Sequence, residues 1–164
     1  MNEFILRHID GLIGQVCCLQ TIGKDRSLNL GFGEAVRHKS SIAEADHGAW
    51  EIGTYYCSWR IVHENLIACG SNDTVGGVEE LRQKIRDLEW GRFSAIRHLS
   101  EFDLRVEFEN GMCVDFLATI SDNDEVVHIF CPGKFVLEFS LANGWRAGPS
   151  DQPWNEKGVH PGMA

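Results

Sequence analysis

Basic charge is what this chain most lacks: 15 Lys and Arg stand against 24 Asp and Glu, a formal net charge of −9 with a pI near 5.2. That balance excludes general affinity for phosphate backbones or anionic lipid, and it makes a basic protein the electrostatically easier partner. Long apolar runs are missing as well. None approaches the ~18 residues needed to cross a bilayer. The stretch Met1-Asn2-Glu3-Phe4-Ile5-Leu6-Arg7-His8, interrupted by Asp10, has no basic start feeding an apolar core. The expectation is a soluble, cytoplasmic protein without nucleic acid or membrane as partner.

Chemistry-bearing motifs are equally scarce. The six cysteines, at 17, 18, 57, 69, 113 and 131, contain no Cys-x-x-Cys knuckle that would fix two zinc ligands in one loop. Cys57, His63 and Cys69 recur at a spacing foreign to tight metal sites, and adjacent Cys17 and Cys18 point to opposite faces of a strand. The cysteines therefore read as reduced, small core hydrophobes, with neither metal nor other cofactor expected. Ser121-Asp122-Asn123-Asp124-Glu125 opens like a calcium loop but lacks the sixth-place glycine and twelfth-place glutamate. It reads instead as a solvated hairpin end, able to dock a basic partner. Gly31-Phe32-Gly33 lacks the Lys-Ser/Thr pair of a phosphate cradle and reads as a bulge or close strand approach. His63, His98 and His128 are accompanied by no Gly-x-Ser-x-Gly signature, so no catalytic residue is assigned.

What is present is a core. With 43% hydrophobic residues in 164, the chain can bury one domain, expected over residues 1–148, followed by a poorly ordered tail over 149–164 that Trp154 could anchor. Short β-branched and aromatic runs separated by Gly, Asn, Asp and Pro predict a mainly β (α+β) fold, an antiparallel sandwich or open barrel. One helix is expected over residues 78–90, where Val78, Leu81, Ile85 and Leu88 keep helical spacing. Glu79 and Glu80 suit its N-terminus, Thr74 with Gly76-Gly77 its entry and Gly91 its end.

Two turns can be read in detail. A three-residue loop Glu109-Asn110-Gly111, with Gly111 left-handed, collects Leu104, Val106, Phe108, Met112, Val114 and Phe116 on one face, whereas a two-residue loop mixes polar and apolar residues on both. The same register sets Arg105 across from Asp115 as an exposed ion pair worth at most about 1 kcal/mol. Cys131-Pro132-Gly133-Lys134 suits a type II turn joining strands over 126–131 and 134–140.

The apolar positions of residues 27–34 coincide with those of 103–110, and residues 59–71 run parallel in pattern to 136–150. This internal similarity predicts two β-rich halves, 9–71 and 92–148, related by a pseudo-twofold axis and joined by the helix.

The densest unusual stretch is Trp50-Glu51-Ile52-Gly53-Thr54-Tyr55-Tyr56-Cys57-Ser58-Trp59-Arg60. Aromatic residues on both faces predict a strand buried on both sides. If one face is open, Tyr55, Trp59 and Arg60 are residue types that anchor protein interfaces, and the acidic surface would steer a basic partner. This stretch, with Leu28-Asn29-Leu30-Gly31-Phe32-Gly33-Glu34, resembles small uncharacterised bacterial β-rich proteins, some from toxin-immunity gene neighbourhoods; the resemblance covers about the first 70 residues and carries no functional residue across. It implies a cytosolic, single-domain binding protein. The expected function is thus non-enzymatic protein binding, of the immunity type, against a basic toxin, through Tyr55, Trp59, Arg60, Asp122, Asp124 and Glu125. A small-ligand-binding β module, or an enzyme using a His and carboxylate pocket, is the alternative.

Overall fold

The computed structural model describes residues 3–37, 46–74, 76–119, 121 and 125–151. Helix α1 (Glu3–Ile9) precedes strands β1 (Cys17–Ile22), β2 (Leu28–Arg37), β3 (Asp46–Thr54), β4 (Ser58–His63) and β5 (Leu66–Gly70). Helix α2 (Gly77–Arg86) follows. The chain continues through β6 (Phe93–His98), β7 (Leu104–Phe108), β8 (Cys113–Leu117), β9 (Glu125–Cys131), β10 (Phe135–Ser140) and β11 (Gly144–Pro149). The strands form two antiparallel sheets, ordered β1-β2-β3-β9-β10-β11 and β5-β4-β8-β7-β6, and neither closes into a barrel. A mainly β, sandwich-like fold is what the alternating strands require, because each sheet is apolar on the face it turns to the other.

The strand order contains a repeat. Strands β1-β2-β3 lie in one sheet and β4-β5 in the other; β6-β7-β8 join the second, and β9-β10 return to the first. The inward rows match residue by residue. Leu30, Ile52, Ile129 and Leu137 pair across the first sheet, as Val106, Val114, Ile61 and Cys69 pair across the second. In this correspondence Leu28, Leu30 and Phe32 stand where Leu104, Val106 and Phe108 do, the alignment that the sequence predicts. The second expected alignment is displaced by one strand, since β4-β5 corresponds to β9-β10 and β11 is an added edge strand. Any inward-facing hairpin has the same apolar alternation, so pattern alone cannot separate neighbouring ones.

The β7-β8 loop has the three residues expected, with Gly111 at φ +82° and the Phe108 amide donating to the Met112 carbonyl at 2.9 Å. Its six apolar residues are all buried. The β9-β10 loop differs from expectation. Cys131 pairs with Phe135, leaving a three-residue loop Pro132-Gly133-Lys134 in which Gly133 and Lys134 both have positive φ. Pairing Cys131 with Lys134 would have slipped the strands by one and turned Leu137 and Phe139 away from the core; the observed register sets them opposite Ile129 and Val127.

Four further features differ from the sequence expectation. Helix α2 ends at Arg86 rather than residue 90, and its C-terminal turn is held by the Trp90 indole, which donates to the Ile85 carbonyl at 2.7 Å. At its start, Gly76 at φ 78° is the cap and no side chain bonds there, so Thr74 does not serve. Arg82 donates to the Ile22 carbonyl and ties the helix to β1. The aromatic stretch is not one strand: β3 ends at Thr54 in the six-stranded sheet, Tyr55-Tyr56-Cys57 turn, and β4 begins at Ser58 in the other. Thr54 Oγ1 accepts the Cys57 amide at 3.1 Å and fixes that turn. Helix α1 was not foreseen, being too short to reveal a period; it buries Ile5 and Ile9 and stacks His8 on Phe135, ring centroids 4.9 Å apart. The expected tail boundary shifts as well, since Pro149 pairs with Phe135 and the Ser150 amide donates to the Lys134 carbonyl; residues 152–164, with Trp154, lie outside the described residues.

Replacing the fully buried Phe116 by alanine is expected to cost about 3–5 kcal/mol. Gly111→Ala, which meets no clash but must hold positive φ, should cost only about 1–2 kcal/mol. Urea denaturation of both variants checks the core and the loop independently.

Candidate functional site

Once the apolar rows face inward, the alternate residues of each strand must face out, and two outward rows carry the unusual chemistry. On the five-stranded sheet, Arg60, Asp115, Arg105 and Arg97 stand side by side across β4, β8, β7 and β6. Asp115 is fully buried although it belongs to the outer face. Arg105 grips it with two hydrogen bonds, Nε to Oδ1 at 2.6 Å and Nη2 to Oδ2 at 3.0 Å, and Arg60 Nε donates to Oδ2 at 2.8 Å. Burial pushes the Asp115 carboxyl up, but the bonds from Arg105 and Arg60 outweigh it and hold the group below the usual carboxylate range. The exposed pair expected from the sequence is therefore a three-residue network around a buried carboxylate, because a second arginine from β4 also bonds it.

The matching row on the six-stranded sheet runs Asn29, Gly53, His128, Glu138 and Arg146. Where the first row has Asp115, this one has Gly53. The Asn29 side chain fills the space: a Cβ at Gly53 would lie 1.9 Å from Asn29 Oδ1 and 2.7 Å from the Leu28 carbonyl oxygen. Crossing over that glycine, Asn29 Oδ1 lies 3.1 Å from His128 Nε2, while Glu125 Oε1 lies 2.6 Å from Nδ1, so an oxygen faces each ring nitrogen. Tyr55 stacks on the imidazole with centroids 4.7 Å apart, and Phe130 leans on it at 5.0 Å. His128 is left 1% exposed with both ring nitrogens engaged. Glu138 pairs with Arg146 beside it.

Tyr55 and Glu125, two of the expected contacts, thus come together around His128. Tyr55 is 48% exposed and its neighbour Tyr56 59%. Partial burial, then the negative charges of Glu125 and Glu51, push the Tyr55 hydroxyl pKa up. His47 Nδ1 lies 2.9 Å from Glu51 Oε1 on the same face. Arg60 does not join them, standing on the outer face of the opposite sheet. Trp59 is 2% exposed in the core, its indole donating to the Arg26 carbonyl at 2.7 Å, so it cannot serve as a surface anchor. The turn at 55–57 shifts the alternation that would have kept Trp59 beside Tyr55. Asp122 and Asp124 lie outside the described residues.

Burial raises the thiol pKa of Cys17, Cys57 and Cys131 to about 12 and that of Cys69 to about 11, so these thiols stay protonated and unreactive at neutral pH. Among the described residues no group of three or more His, Cys, Asp and Glu is placed to hold a metal ion, and no helix is long and apolar enough to cross a membrane. Asn29, Gly53 and His128 make up a cluster the sequence reading did not assemble. Its available signal was a histidine on the outward parity of an apolar strand.

Gly53→Ala should displace Asn29 from His128 and lower stability by about 1–3 kcal/mol, read by thermal unfolding and by loss of the imidazole's slow proton exchange in NMR. Because the folded-state pKa of Asp115 is depressed, its contribution is present above the unfolded carboxylate range and is lost as pH falls through the folded value. The wild type should therefore lose stability below about pH 4, and Asp115→Asn, costing about 3–5 kcal/mol at neutral pH, should flatten that loss in denaturation curves at several pH values. Comparison with protein-family models, curated proteins and solved structures finds no match for this chain.

Proposed function

We propose that this chain is a non-enzymatic protein-binding protein whose partner is basic, with inhibition of a basic toxin in the manner of an immunity protein as its specific form. The observation that carries this reading is the pair of exposed tyrosines, Tyr55 and Tyr56, next to the carboxylates of Glu125 and Glu51. Tyrosine offers a large, rigid contact area, and adjacent carboxylates select Lys and Arg on a partner. The net charge of the whole chain, −9, would accelerate the encounter.

The alternative needs a His and carboxylate open to substrate. His128 has both nitrogens bonded and its ring covered by Tyr55, so it offers no free base, and its Glu125 partner is a spectator to chemistry. The interior between the sheets is filled by apolar side chains rather than lined by polar ones, which favours an outer binding surface.

Capture from the native host on immobilised wild-type protein, followed by mass spectrometry, should retain a basic protein that is released by raised salt. Glu125→Lys and Tyr55→Ala should each reduce its retention about tenfold or more, and charge reversal at Asp122 and Asp124 should slow association and lessen its salt sensitivity. Retention of the same basic protein by all variants would overturn the reading.

A further inference from the structure

We propose that the outer face of the five-stranded sheet holds a second binding site, for a carboxylate ligand, formed by Arg60 and Arg105 with Arg97 at its rim. It lies on the opposite side of the sandwich from Tyr55 and Glu125 and does not depend on what binds there.

Three features point to a ligand rather than to a purely structural network. Arg60 spends only Nε on Asp115, and among the described residues its two terminal amino groups make no hydrogen bond; Arg105 likewise has Nη1 to spare. A guanidinium that is bonded on one edge and open on the other is a fork already oriented for a second oxyanion. Next, Arg97 stands directly opposite Arg105 in the β6-β7 register, where like charges repel. Arg97 Nε is bonded to Glu107 at 2.8 Å, which again leaves its terminal amino groups outward. Finally, the strand arrangement itself does not require arginines in this row. At the equivalent place in the six-stranded sheet, Asn29, Gly53 and His128 stand where Arg105, Asp115 and Arg60 do, so the same strand arrangement closes without any arginine.

Charge selects the ligand class. Three guanidinium groups against the carboxylates of Asp115 and Glu107 leave one positive charge among these five side chains, in an otherwise acidic chain. One carboxylate neutralises the cluster, whereas a phosphate dianion would leave it negative. Asp115 acts here as a positioning residue: buried beneath the site, it holds the two forks from below while their open edges face outward. Arg60 is 40% exposed at its side chain and Arg105 28%, enough access for a small anion in a partly screened setting.

The test follows the arginine Nε–Hε resonances of the 15N-labelled full chain during titration with sodium acetate, a tetraglutamate peptide and inorganic phosphate, each against sodium chloride at matched ionic strength. Acetate is expected to shift the Arg60 and Arg105 signals saturably. Arg60→Gln should weaken it about tenfold, the loss of one charged hydrogen bond. Arg97→Gln, which touches neither Asp115 nor the core, should weaken it about threefold, as an exposed charge would. Tetraglutamate binding much more tightly than acetate would support the site and assign it to an acidic chain segment, while equal affinity per carboxylate would support it and assign it to free organic acids. Chloride producing the same shifts, phosphate saturating before acetate, or an Arg97→Gln variant binding as the wild type does would each overturn the proposal; that last variant decides the matter even if Arg60→Gln fails to fold.

Discussion

The structure depends on one constraint, that two rows of apolar side chains must face each other across the gap between the sheets. Leu30, Ile52, Ile129 and Leu137 form one row; Val106, Val114, Ile61 and Cys69 form the other. Every strand register follows from keeping these residues dry, since a slip of one position would expose a whole strand's apolar set. The outward chemistry is therefore not free to choose its place. Asp115 sits between two arginines, and His128 between Asn29 and Glu125, because the inward neighbours Val114 and Ile129 pin those strands.

The two outward rows solve one geometric problem in opposite ways. A central position flanked by two strands can carry a side chain that its neighbours grip, as Asp115 is gripped by Arg60 and Arg105. It can also carry none, so that the neighbours meet over it, as Asn29 and His128 meet over Gly53. The first concentrates charge in a sheltered place and leaves guanidinium edges exposed. The second buries a histidine under aromatic rings and leaves tyrosines exposed. The two faces consequently present different chemistry to solution although the strand order and inward pairing beneath them correspond.

Much of the fold was legible from residues 102–117, where only one loop length lets Leu104, Val106 and Phe108 share a side with Val114 and Phe116. Period-2 alternation carries that information locally. The Pro132-Gly133 turn differs by one residue from the sequence expectation because proline and glycine mark a bend without fixing which strand residues pair, and Lys134 adopts a left-handed conformation that its type gives no hint of. Trp59 departs from expectation for a similar reason: alternation does not continue through Tyr55-Tyr56-Cys57, where the backbone turns into the other sheet. The site was less legible still. Tyr55 and Glu125 are far apart in sequence, and nothing short of the sheet order brings them to the same imidazole. That Asp115 would be buried could not be foreseen either, because its second arginine arrives from β4, beyond the hairpin that first paired it with Arg105.

Each half of the chain builds three strands of one sheet and lends the remaining ones to the other, an exchange with a consequence for how the molecule is made. During synthesis β3 emerges long before β9, the strand that will lie against it. Until then β3 keeps an unmatched row of amides and carbonyls on one side, and β4 likewise waits for β8. A nascent chain stopped between the halves would hold two open margins and no finished layer. Closure of the interior must therefore come late and all at once, when the second half threads its strands against those already waiting.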